Sequence, residues 1–414
     1  MSGIEDKLSS YLDSRGDYAT DLLCKLISYR SVAGREQEVQ DFLLDQVRRL
    51  GYEAVVAPVD EDIAEDPDYT LVPGHESYAG RNNILVNILG SGGGRSVIVN
   101  SHSDVVTAPD EMFVPRHVDG VVHGRGACDA KGQVVAILLV LSALGKLGLK
   151  LKGGVQAQLV IEEESGGNGA LSVIRQGAKA DAAVVLEPTS LEVRPANRGA
   201  VWFKLAVTGR SVHMGRYWDG VSAVDEMIGL IGVLKEYETF LRNESEGDPL
   251  FPFEPNPVTV NIGQIQGGDW PATVPQQCRI EGGIAFLPNR RIEQIRDELR
   301  SLIDRGSGDW AREHYSLEFS RLRNEAFETG VDHPAVASFC RAAESVLGPR
   351  RPLGWTASCD ARLFYHRGGM PTMVFGAGDL GHAHSLNEQI RIADILRAAE
   401  VLIRFITDWC GVEQ

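Results

Sequence analysis

The 414-residue chain has no C-x-x-C pair among its six cysteines (Cys24, Cys128, Cys278, Cys340, Cys359 and Cys410). That spacing excludes a zinc ribbon and a disulfide framework and suits a reducing, cytoplasmic setting. Basic residues are in the minority, 41 Lys and Arg against 57 Asp and Glu for a net charge of -16. A nucleic acid or an anionic membrane surface is therefore excluded as a partner, because phosphate contacts need clustered cations. The chain start, "MSGIEDKLSSYLDSRGDYATDLL", lacks a charged and then apolar leader and reads as a polar start running into an amphipathic helix. No repeat and no low-complexity tract occurs. The most apolar stretch, Val134 to Leu144, falls short of a membrane span and reads as a buried core helix.

What is present is the balance of a globular protein, 43% apolar and 24% charged, in a chain long enough for two or three domains. Four short apolar runs end at once in polar residues able to hold a metal: "SVIVNSHSD", "QLVIEEESGG", "AAVVLEPTS" and "PTMVFGAGDLGHAHS". Runs of this kind suit strands buried on both faces, and intervening helical stretches such as "KGQVVAILLVLSALGKLG" make the fold a mixed-sheet α/β domain. In open α/β sheets ligands sit at the carboxyl ends of strands, so the four runs point at one site.

Residues 196–324 follow another pattern: strand "VWFKLAVTGR", helix about 221–241, strand "PVTVNIGQI", strand "QQCRIEGGIAFLP", helix about 292–303 and strand "HYSLEFSRL". This β-α-β-β-α-β order is that of a ferredoxin-like α+β unit. It makes 196–324 an inserted domain, with 1–195 and 325–414 forming the first domain.

Glu162, Glu163 and Glu164 stand side by side where a buried strand ends. Adjacent carboxylates repel, and such a cluster needs open solvent or a fixed cation. His102 and Asp104 in "SHSD", Asp129 in "GRGACDAKGQ", Glu187 in "LEPTS" and His382 or His384 in "GHAHSLNE" supply further donors. Taken singly, each has an ordinary alternative. Asp129 reads as readily as a helix cap, and Glu187 as a plain strand-end residue. Together, two histidines and three carboxylates suffice for a dinuclear centre with mixed N and O ligands.

The ordered series "SHSDVV", "GRGACDAKG", "EEESGGNG", "LEPT", "GRSVHMG" and "AHSLNE", spread from about Asp21 to Gly411, resembles the co-catalytic zinc metallopeptidase family. That family includes aminoacylases, acetylornithine deacetylase, succinyl-diaminopimelate desuccinylase and bacterial glutamate carboxypeptidase. The resemblance implies that His102 and Glu187 bind one metal, Glu164 and His384 the other, and that Asp129 bridges them. It implies that Glu163 is the catalytic glutamate, that Asp104 orients His102, and that Glu162 has no direct role. His213, in the inserted lid and dimerisation domain, would reach the active site of the partner subunit in a homodimer. Two Zn²⁺ are implied, with Co²⁺ or Mn²⁺ compatible with the same ligands.

The implied activity is hydrolysis of a small N-acyl amino acid or related N-acyl amine. A dipeptidase or carboxypeptidase is the alternative, followed by a non-catalytic binding protein on the same scaffold. The chain departs from the family at "ATVP", where Ala272 stands in place of an asparagine. Arg362 in "SCDARLF" reads equally as a clamp for a substrate carboxylate or as a salt bridge to Asp360, and Arg198 as structural. Cys128 reads as a small packed side chain. His75, His117, His123, His314, His333 and His366 fit no motif.

Overall fold

The computed structural model describes residues 2–72, 74, 77–253 and 255–413, without the side chains of 2–5, 320 and 321. His75 lies outside the described residues. The chain forms two compact units. The first holds the residues up to Ala196, Glu328–Trp355 and those from Cys359 on; the second holds Asn197–Phe327 and Thr356–Ser358. The compact insertion thus begins and ends within a few residues of the 196–324 read from the sequence.

The first unit is a mixed α/β structure, as its apolar runs lead one to expect. Its central sheet orders the strands Ala54–Pro58, Asn82–Ile88, Val155–Val160, Val97–His102, Ala183–Leu186 and Thr372–Phe375. The last four run parallel to one another, and the first two are antiparallel. Because the four parallel strands share a direction, all four apolar runs end at the same edge of the sheet.

Every residue of Val97–His102 and of Ala183–Leu186 is buried, which explains why these strands read as unbroken apolar runs rather than as alternating ones. The helix Gly132–Lys146 is apolar on all sides, and residues 132–144 are all buried. With its lead-in, 127–146 is long and apolar enough to cross a membrane by length and composition, yet 127–144 lie inside the protein. The chain start, which reads as one amphipathic helix, forms two, Ser2–Asp13 and Gly16–Ile27. The break lets Leu8 and Leu12 of the first and Leu22, Leu23 and Leu26 of the second all reach the core.

The second unit shows the α+β order read from the sequence. Its four-stranded antiparallel sheet runs Thr259–Gly267, Gln277–Phe286, Gly199–Thr208 and Tyr315–Asn324. In Gly199–Thr208 the side chains of Val201, Phe203, Leu205 and Val207 are buried while Trp202 is exposed, the period-2 signature of a one-sided sheet. The helix Ala223–Glu244 starts at Ser222, whose hydroxyl accepts the Asp225 N–H, and buries Met227, Leu230, Leu234 and Tyr237. A short helix, Asp309–His314, precedes the last strand and has no counterpart in the sequence reading.

The long segment of the insertion leaves the first unit after Ala196 and returns to it at Glu328. Within that unit the Thr329 N–H donates to the Pro195 carbonyl at 2.8 Å.

Candidate metal centre

The strand Val97–His102 lies beside Val155–Val160 with His102 opposite Val160, so the histidine emerges beside the three glutamates. At Glu162 the backbone turns through a left-handed conformation, φ 59°, a region non-glycine residues seldom adopt. Buried contacts hold it there. Tyr78 Oη donates to Glu162 Oε2 at 2.6 Å, Asn168 Nδ2 donates to the same oxygen at 3.0 Å, and the Arg81 guanidinium pairs with Oε1. Arg81 also pairs with buried Glu36 at 2.8 Å.

This corrects the sequence argument, in which a bound cation offsets all three glutamates. Glu162 is neutralised by Arg81 instead, and only Glu163 and Glu164 join the site. After them the chain reverses at Gly167, whose φ is 84° and where any Cβ would meet Asp360 Oδ1 at 2.2 Å. Only glycine fits both demands.

The structure brings His102, Asp104, Asp129, Glu163, Glu164, Glu187 and His384 together. Asp129 stands outside helical geometry at φ -127°, ψ 92°, and Lys131, not Asp129, takes the cap position of the following helix. The cap alternative is thereby removed. Asp129 Oδ1 lies 3.2 Å from His102 Nε2, and its Oδ2 lies 3.3 Å from His384 Nε2. Glu164 Oε2 is 2.9 Å from His384 Nε2, and Glu187 Oε1 is 3.9 Å from His102 Nε2. Glu163 Oε2 reaches within 4.0 Å of His102 Nε2.

The donor atoms fall into two groups, His102 with Glu163 and Glu187, and Asp129 with Glu164 and His384, each within 4.8 Å. His102 Nδ1 faces Asp104, which is fully buried, at 3.3 Å. His382 stays apart, with Gln389 Nε2 at 3.3 Å from its Nε2.

Charge is out of balance in this pocket. Burial, followed by Asp360, Glu164 and Asp129, pushes the Glu163 carboxyl well above its ordinary range, against the pull of His102. Glu187 is raised in the same way by burial, Glu163 and Asp129. Glu164 is pushed up to about 7 by burial and the Asp129 charge. Burial would also raise Asp129, but its hydrogen bonds with His102 and His384 outweigh that and hold it below the usual range. His384 is lifted to about 10 by hydrogen bonds with Asp129 and Glu164.

Two imidazoles thus cannot offset so many buried carboxylates, and Glu164 Oε1 is buried with no hydrogen-bond partner. A set of N and O donors with an excess of negative charge and an orphaned buried oxygen fits divalent cations.

Arg362 is buried and donates from Nη2 to the Gly166 carbonyl at 2.8 Å, while its Nε and Asp360 Oδ2 have no partner. The ion pair with Asp360 does not form within 4.0 Å, and Nη2 is engaged with the glutamate loop. Arg198 is structural, donating to the Pro257 carbonyl at 2.9 Å. Cys128 is buried, and burial raises its thiol far above the reactive range.

In the second unit His213 is exposed and caps the short helical turn Met214–Asp219, its Nδ1 accepting the Gly215 N–H at 3.1 Å. That bond places the ring proton on Nε2. Sequence reasoning missed Arg81, Tyr78 and Glu36, none of which has a local signal, and assigned no task to Glu388, although it closes the quoted "AHSLNE".

The sequence profile described as Peptidase family M20/M25/M40 matches residues 98–408. The chain is 26% identical over 364 residues to an N-formyl-4-amino-5-aminomethyl-2-methylpyrimidine deformylase of Bacillus subtilis (strain 168), covering 81% of this chain and 84% of that protein. It is 29% identical over 333 residues to an acetylornithine deacetylase of Myxococcus xanthus, covering 78% and 82%. Among solved structures it superposes on a tripeptidase of Staphylococcus aureus subsp. aureus Mu50 with TM-score 0.77 and 18% identity, over 95% of this chain and 98% of that one.

Proposed function

Because the chain belongs to Peptidase family M20/M25/M40, we propose that it is a metal-dependent hydrolase that cleaves the amide bond of small N-acyl amino acids or related N-acyl amines. The observation that carries this reading is Asp129, whose two carboxylate oxygens face two separate donor groups with Glu163 beside them. The relatives named as a deformylase and a deacetylase support an acyl group as small as formyl or acetyl. The family's own name supports a second reading, an exopeptidase acting on small peptides.

His102 and Glu187 would hold one divalent cation, Glu164 and His384 the other, and Asp129 both. Zn²⁺ is the first choice for such donors, with Co²⁺ or Mn²⁺ as substitutes. Bound there, the pair would supply Lewis-acid activation of the scissile amide.

The protein's part is positioning and proton transfer. Asp104 turns the His102 ring so that Nε2 faces the site. Glu163 takes the proton of the attacking water on its carboxylate and delivers it to the departing amine nitrogen, so that the bond broken is C–N and the products are acid and amine. His213 keeps Nε2–H free for an acceptor, and in a homodimer that donor would stabilise the oxyanion in the site of a second copy. The six free cysteines support a cytoplasmic setting.

The test is amine release by the Zn²⁺- or Co²⁺-loaded protein from N-formyl, N-acetyl and N-succinyl amines beside dipeptides. Release that Glu163→Gln abolishes while both metals stay bound supports the amidohydrolase. Cleavage of dipeptides alone moves the assignment to a peptidase, and no release from any compound with metals bound refutes both.

A further inference from the structure

Glu388 closes the "AHSLNE" stretch, and hydrolysis as derived above leaves it without a task. Its side chain is fully buried. The short strand that follows it, Gln389–Arg391, pairs with Val121–His123 so that Gln389 lies opposite His123. The Gly124 N–H donates to the Glu388 carbonyl at 3.1 Å. This pairing lays Glu388 against the loop that carries Asp129. There its Oε1 accepts the backbone N–H groups of Cys128 at 3.1 Å and Asp129 at 3.2 Å.

The other carboxylate oxygen is paired with Arg125 Nη1, and Arg125 is itself buried. From Nη2 the same guanidinium donates to the His384 carbonyl at 3.2 Å. His384 sits at φ 60°, a conformation a histidine seldom keeps without outside contacts. An unbroken series of hydrogen bonds therefore links the Asp129 backbone to the His384 backbone through two buried charged side chains. A buried ion pair gains little net stability from its charges, because desolvation cancels most of the attraction. What this pair contributes is geometry.

We propose that Glu388 and Arg125 are positioning residues that set the separation of Asp129 from His384, and so tune the cation affinity of the half of the centre that His384 completes. The inference rests on the metal reading given above. Neither residue faces the donor atoms: both act on the backbone of residues that do, the outer-shell arrangement that typically sets metal affinity by about 10- to 100-fold.

The experiment compares wild type, Arg125→Lys and Glu388→Gln. Cobalt is titrated against a competing chelator while its visible absorption is followed, and hydrogen exchange is measured on the metal-free proteins. Arg125→Lys keeps a cation opposite Glu388 but loses the fork that reaches His384, and Glu388→Gln is the substitute if that variant does not fold.

In either variant one cobalt equivalent should bind about 10- to 100-fold more weakly, with its absorption bands altered, while the other keeps its affinity. The peptide covering 380–388 should exchange faster without metal. Equal weakening of both equivalents together with a general loss of thermal stability means a merely structural pair and overturns the proposal. Unchanged exchange at 380–388 overturns it whatever cobalt does. A wild type that binds no cobalt refutes the metal reading, and the exchange result then judges the pair alone.

Discussion

Asp104 accepts the backbone N–H of Glu164 at 3.1 Å. Its other oxygen takes the Glu163 N–H at 3.2 Å and faces His102 Nδ1 at 3.3 Å. One buried carboxylate thus joins the ends of two neighbouring parallel strands, fixing the imidazole of one and the peptide plane of the two glutamates on the other. The role is wider than orienting a histidine.

Asp104→Asn is the sharpest probe of that joint. The amide keeps the size of the side chain but turns one acceptor into a donor that faces a donor. Metal affinity should fall by about 10- to 100-fold with the fold intact. Isothermal titration of zinc into the metal-free variant checks this, and affinity within threefold of wild type would remove Asp104 from the arrangement.

Arg81 holds two buried carboxylates, Glu36 and Glu162. Arg81→Met leaves both without their cation, and breaking a buried pair from one side costs roughly 3–5 kcal/mol. Urea unfolding of the metal-free protein should show a loss of that order. Double replacement, Arg81→Met with Glu162→Gln, should recover part of it.

Asp360 makes stability depend on pH. Burial, only partly offset by Arg362 and His102, raises its carboxyl to about 7 from an ordinary 3.8. The folded state therefore holds this proton more tightly than the unfolded chain does. The stability it contributes is fully present at pH below about 4 and is lost as pH rises toward 7. Asp360→Asn, which cannot ionise, should gain on wild type steadily across that window. Unfolding of metal-free protein at pH 4.5 and 7.5 reads the difference, and parallel pH curves would contradict it.

Ligand-linked stability provides a separate check. Zinc held at 100 times its dissociation constant should stabilise the fold by about 2.7 kcal/mol through mass action. The gain should vanish with chelator and should be largely absent in Asp129→Asn, whose amide bridges two cations poorly. Calorimetry with and without zinc gives the answer.

Much of this was readable in the sequence because the chemistry is local to strand ends. His102, Glu163, Glu164 and Glu187 each fall within three residues of the end of an apolar run, and a parallel sheet must bring such ends together. The inserted unit was legible for a similar reason, since alternation in Gly199–Thr208 and apolar periodicity in Ala223–Glu244 are local patterns. Partners from distant segments left no such trace. Arg81 meets Glu162 across 81 residues and Arg125 meets Glu388 across 263, so neither neutralising contact shows in the spacing. The Arg362 contact was equally silent, since its spacing to Asp360 suggests a salt bridge whereas Nη2 meets the Gly166 carbonyl of the glycine turn.

The meeting of Pro195 and Thr329 has a further consequence. A segment that leaves and re-enters a host fold at hydrogen-bonded neighbours can lengthen, change or be exchanged at small entropic cost, because its ends are already closed. The half that carries the donor groups and the half that carries His213 can accordingly accumulate substitutions on separate schedules.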